Sequence, residues 1–133
     1  MATGQTQLAA GFAYTQNDGE VAMVGFADHQ YDTKAYVLLQ RTLRPSSDDI
    51  CRGWDDVHIM VDDETRSAYG GVKQITLHDE KQVLIEVSPA TANHLGTGET
   101  ISVNIANAQM DGGELAGMLK LVCGEHVQFN QQG

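Results

Sequence analysis

Apolar residues recur at every second position through the middle of this chain, and that period restricts the middle to β-structure. Val57, Ile59 and Val61 fall on one side of an extended backbone, while His58 and Met60 fall on the other. Ile75 and Leu77 repeat the pattern. Val83, Ile85 and Val87 answer them after Asp79-Glu80-Lys81-Gln82, which predicts a hairpin with one buried face. Ile101, Val103 and Ile105 predict a further strand of the same kind. Upstream, the strand-like runs Leu8–Thr15 and Val21–Asp28 flank the turn signal Asn17-Asp18-Gly19. Ala35–Arg41 is apolar at nearly every position, as expected of a central strand covered on both faces.

Between these runs the punctuation changes. Thr42–Asp56 is polar and holds Pro45, two serines and four aspartates, so it reads as a loop with a short helical turn near Ser47–Cys51. Ser88 as N-cap, Pro89 in the first turn and Gly96 after Leu95 bracket a helix of about two turns. A second helix opens at Asp111, with Glu114 three residues on as in a capping box, and closes at Gly124. Its Leu115, Met118, Leu119 and Val122 recur at helical spacing and form a stripe for packing on a sheet. The predicted class is therefore α+β: a mostly antiparallel sheet with a C-terminal helix packed on one face and a short second helix.

With 133 residues, 41% hydrophobic and 20% charged, the chain has the composition of one globular domain over residues 1–133. The polar ends, Met1–Gln7 and Asn130–Gly133, read as frayed, leaving about residues 8–129 ordered. Eighteen acids against 8 bases give a formal charge of −10. That sign opposes binding to nucleic acid or to anionic membranes, and it suits a basic protein partner. Two cysteines are too few for a disulfide framework, and no signal-like or membrane-length apolar run is present. The expected setting is cytoplasmic, with Cys51 and Cys123 reduced.

No phosphate-binding loop, dinucleotide fingerprint or nucleophile elbow occurs, and the five histidines never stand at i, i+4 spacing on a helix. No catalytic set, metal or cofactor site is predicted. The outstanding segment is 48–64, where Asp48, Asp49, Asp55, Asp56, Asp62, Asp63 and Glu64 supply seven of the 18 acids, offset by Arg52 alone. Three readings stand open: a solvated surface, a recognition patch for a basic protein, or a metal or acid/base site of Asp62 and Asp63 with His58. The third lacks the glycine of a calcium loop. Trp54 is either a core anchor or an interface residue. Gly70-Gly71 predicts a turn or bulge at positive φ, with Tyr69 held beside it, facing core or partner.

The stretch Val57–Leu77, an apolar strand ending in an acidic pair and then Arg-Ser-Ala-Tyr-Gly-Gly before another strand, resembles the immunity protein 10 family of bacterial polymorphic toxin systems. Tyr36–Arg41 and the passage Ile85–Ile105 are also similar, so the likeness spans about Ala35–Ile105. It implies a small non-catalytic antidote that binds and blocks a cognate toxin. Joined to the charge, it makes the candidate partner a basic protein, such as a nuclease toxin. The candidate contacts are Trp54, Asp55, Asp56, Asp62, Asp63, Glu64 and Tyr69. The alternatives are a domain that pairs with a second copy through a sheet face or edge, and an enzyme with an acidic site.

Overall fold

A computed structural model describes residues 5–108 and 110–132. Its strands are β1 (Gln5–Ala9), β2 (Phe12–Asn17), β3 (Val21–Ala27), β4 (Tyr36–Thr42), β5 (His58–Val61), β6 (Asp63–Tyr69), β7 (Val72–His78), β8 (Gln82–Val87), β9 (Thr100–Asn104) and β10 (Gln128–Gln132). The helices are α1 (Ser47–Cys51), α2 (Pro89–Leu95) and α3 (Gly112–Cys123). The α+β class holds, but the strands divide into two sheets. Sheet I is an antiparallel meander, β2-β3-β4-β5-β6. Sheet II runs β1-β9-β8-β7-β10, with β1 parallel to β9 and β10 parallel to β7 at its edges.

The expected strand Leu8–Thr15 is thus two strands in different sheets. The break falls where successive amides change partners: Ala10 donates to Asn104 of sheet II, and Gly11 to Ala27 of sheet I. Gly11 is needed because a Cβ there would come within 2.6 Å of the Asp28 carbonyl oxygen. The second crossing, from β6 to β7, is the Gly70-Gly71 step, with φ of +73° and +82°. Gly70 donates to the Val57 carbonyl, and the Gly71 carbonyl accepts from Ser88. The glycine pair predicted as a turn is therefore the hinge between sheets.

One buried cluster draws on both sheets and α3. In α3, Leu115, Leu119 and Val122 are buried as the stripe predicts, Cys123 joins them, and Met118 lies half-exposed at the margin. Asp111 accepts from the Glu114 amide. The Glu114 carboxylate does not complete the box, however, because it accepts instead from Thr15 Oγ1 on β2. At the other end Arg41 of β4 donates to the carbonyls of Leu121 and Val122, satisfying two acceptors that the last turn leaves open. Burial pushes the Cys123 thiol up to about 12, with Arg41 opposing, so it stays protonated.

Three further expectations are corrected. β4 is central in its sheet, yet only one of its faces is covered: Val37 and Leu39 are buried, while Tyr36, Leu38 and Gln40 are half-exposed. The acidic stretch after Val61 continues as strand β6, which its polar sequence concealed. Gln5–Gln7 and Asn130–Gln132, read as frayed, pair in β1 and β10; Met1–Gly4 and Gly133 lie outside the described residues.

Two stability predictions follow from this packing. Alanine at Gly71 meets both the positive φ and the Thr91 side chain, whereas at Gly70 the nearest atom is Asp56 Oδ2 at 3.5 Å. Gly71→Ala is expected to cost more than Gly70→Ala, each by about 1 kcal/mol or more; equal, wild-type urea midpoints for both would refute the hinge. Leu119→Ala is expected to cost about 2–5 kcal/mol, and Met118→Ala much less, which thermal unfolding of the two variants checks.

Candidate functional site

The loop from α1 to β5 sets the first half of the site. Ser46 and Asp49 form a reciprocal capping box at the start of α1, and Asp48 pairs with Arg52 at 3.1 Å. Two of the seven acids in the segment therefore serve α1. The Trp54 amide then folds back onto the Asp49 carbonyl, which turns the indole outward.

There it meets Tyr69. The β5–β6 register pairs Tyr69 with His58 at the end of the hairpin. The Trp54 and Tyr69 rings stack at 6.3 Å, with 29° between their planes. The Arg52 guanidinium sits 5.0 Å from the indole centroid, a cation–π contact, and the His58 ring lies 4.6 Å from Tyr69. Gln40 Nε2 is 3.2 Å from His58 Nδ1. Burial lowers the His58 pKa below its usual value, which favours the neutral imidazole at pH 7. Trp54 is 41% and Tyr69 45% exposed. Neither is a core anchor. They form one outward-facing aromatic corner.

The acids do not form one patch. At the aromatic end, the Asp55 carboxylate lies 3.3 Å from His126 Nε2, and Asp56 accepts from the Val57 amide and approaches Gly70. Asp62, Asp63 and Glu64 occupy the opposite tip of the hairpin, about 20 Å away at ~3.3 Å per residue. Asp62 sits at φ +64°, where its Oδ1 accepts from the Tyr36 amide and its Oδ2 pairs with Arg66 at 3.3 Å. Arg66 also donates to the Leu95 carbonyl, tying β6 to α2. Asp63 accepts from both the amide and the hydroxyl of Thr65, and those bonds lower its pKa. Glu64 is exposed. The field of this tip reaches Tyr36, whose pKa is raised by burial first and then by Asp63, Glu64 and Asp62.

This geometry bears on the competing chemistry. His58 opens β5 and Asp62 lies just past its far end, about 13 Å away at ~3.3 Å per residue, and each is engaged elsewhere, so the structure does not assemble an acid/base set from them. Among the described residues no group of three or more His, Cys, Asp or Glu is placed to hold a metal ion. Cys51 is exposed and Cys123 buried, both free. No helix among the described residues is long and apolar enough to cross a membrane.

The sequence did not reveal the Arg52–Trp54 contact, the stacking of Trp54 on Tyr69, or the Gln40–His58 pair. The Gln40–His58 pair and the position of Tyr69 follow from the register of β4, β5 and β6, whereas the Arg52–Trp54 contact depends on the fold of the loop after α1.

No curated protein matches the chain. The immunity protein 10 family model matches residues 8–111, a span that takes in all of sheet I, extends beyond the resemblance on both sides, and ends at the N-cap of α3. The chain belongs to the immunity protein 10 family.

Proposed function

We propose that this protein binds a cognate bacterial toxin by direct contact and neutralises it, without catalysis, cofactor or metal. Membership of an immunity protein family supports the role. The observation that carries the choice of surface is the exposed Trp54–Tyr69 stack. A stable monomer has little reason to hold two large aromatics half in water, and Trp and Tyr dominate interface hot spots. Asp55 and Asp56 flank the stack, while Asp62, Asp63 and Glu64 stand at the far tip. With a net charge of −10, the complementary partner is basic, and a nuclease toxin has that sign. The encounter takes place in the cytoplasm, where a toxin of that kind would act.

The two kinds of contact have different kinetic signatures. Exposed charge steers association, and a desolvated aromatic slows dissociation. With the toxin encoded by the neighbouring gene, Asp62→Lys combined with Asp63→Lys is expected to lower the on-rate and flatten its salt dependence. Trp54→Ala or Tyr69→Ala is expected to raise the off-rate and cost about 2 kcal/mol or more. Co-expression supplies the cellular readout: the wild-type protein restores growth, and the variants restore it poorly. Full protection and unchanged kinetics in all the folded variants would place the interface elsewhere.

A further inference from the structure

On sheet I the buried residues occupy alternate positions: Ala22, Val24 and Phe26 on β3, Val37 and Leu39 on β4, Ile59 and Val61 on β5. Two contacts fix α3 over that same face. Arg41, in step with Leu39, donates to the Leu121 and Val122 carbonyls, and Thr15, in step with Ala13, donates to Glu114. The intervening side chains point away from the core. Register aligns Tyr14, Gly25, Leu38, Met60 and Ser67 in one row across all five strands. The next row is Gln16, Met23, Gln40, His58 and Tyr69. Neither row contains Asp, Glu, Lys or Arg, in a chain that is 20% charged.

These residues are organised among themselves. Tyr14 Oη donates to Met23 Sδ at 3.4 Å, and Tyr36 Oη to Met60 Sδ at 3.3 Å. The Tyr14 ring lies over Gly25, where any side chain would collide with it. The result is a surface of rings and thioethers interspersed with Gln16, Gln40 and Ser67. A hollow of about 130 Å³ lined by Gln40, Arg41, His58 and Tyr69 indents it beside the Trp54–Tyr69 stack at one corner.

Each connection between consecutive strands of sheet I carries acids, against which stand Lys34 between β3 and β4 and Arg44 and Arg52 between β4 and β5. Asp18 and Glu20 lie between β2 and β3, Asp28 and Asp32 between β3 and β4, Asp55 and Asp56 before β5, and Asp62 between β5 and β6. Backbone amides of Val21 and Glu20 lower the Asp18 pKa, so that carboxylate is ionised at neutral pH.

We infer that the whole outward face of sheet I is the toxin-binding surface, and that it takes an apolar patch of toxin surrounded by Lys and Arg. This rests on the immunity reading above. Size and charge both select that occupant. Four strand spacings of ~4.8 Å and three two-residue steps of ~6.7 Å give roughly 400 Å². A stable complex buries about 800 Å² on each partner. The partner must therefore extend onto the acidic border, where a cationic surface is attracted and an anionic one repelled. A second copy of this chain, itself carrying −10, would bring acidic border against acidic border. Unbranched methionines at the centre let the face adapt to the partner's shape.

The test places a charge at the centre of the face. Leu38→Glu and, separately, Met23→Glu are measured against the immobilised toxin encoded by the neighbouring gene, with Gln131→Glu on sheet II as the control. Circular dichroism confirms that each variant folds. The expected result is a loss of about 30-fold or more in affinity for whichever face variant is folded, with Gln131→Glu close to wild type. If both folded face variants bind as wild type while Trp54→Ala still weakens binding, the toxin uses only the aromatic corner; this inference fails and the immunity reading stands. If the wild-type protein does not bind the toxin at all, the immunity reading fails and this surface falls with it. A wild-type dimer that Leu38→Glu dissociates would assign the face to a second copy and overturn the inference.

Discussion

Arg41 reaches from β4 to the carbonyls of Leu121 and Val122, and those hydrogen bonds hold the last turn of α3 against sheet I. The position matters because Arg41 is in step with Val37 and Leu39 on the inner face of β4. A helix held there commits the inner face to the core and leaves Tyr36, Leu38 and Gln40 to the outside. The guanidinium also offsets the partial negative charge at the helix end. Beside it Cys123 is buried and protonated, part of the packing and not a reactive thiol.

The division of labour among the acids follows from the same frame. Several carboxylates do structural work: Asp49 caps α1, Asp62 holds the bulge at the β5–β6 tip, and Asp111 caps α3. As carboxylates they still add to the negative field of the chain. Structure and steering are therefore compatible roles for one residue. The outward face contributes what charge cannot, an area that leaves water when covered, and burial of His58 favours its uncharged form there.

Much of the fold could be read from the sequence where one physical signal acted alone. The alternation at Val57–Val61 and Val83–Val87 gave strands with the correct buried face, and Ser88-Pro89 and Asp111 marked both longer helices at their first residues. Legibility failed where tertiary pairing overrode local pattern. Leu8–Thr15 has no proline or turn pair to announce that its two halves join different sheets. Thr65 to Ser67 carry no apolar stripe because β6 is an edge strand braced by Arg66 against α2. For the candidate site, Trp54 and Tyr69 were visible as outward candidates, but their stacking was not. The seven acids of one stretch formed a single patch in sequence and two separate ends in space. The outward face escaped notice because its members, from Tyr14 to Tyr69, are single residues scattered over five strands.

The methionine methyl groups offer the most direct measurement of the central claim. Met23 and Met60 lie on the outward face of sheet I, while Met118 lies on α3 and Met110 precedes it. In a methyl-labelled sample titrated with the toxin encoded by the neighbouring gene, the Met23 and Met60 signals are predicted to shift and broaden, with Met110 and Met118 unchanged. Unmoved Met23 and Met60 signals in a saturated complex, with Met118 perturbed instead, would contradict the account.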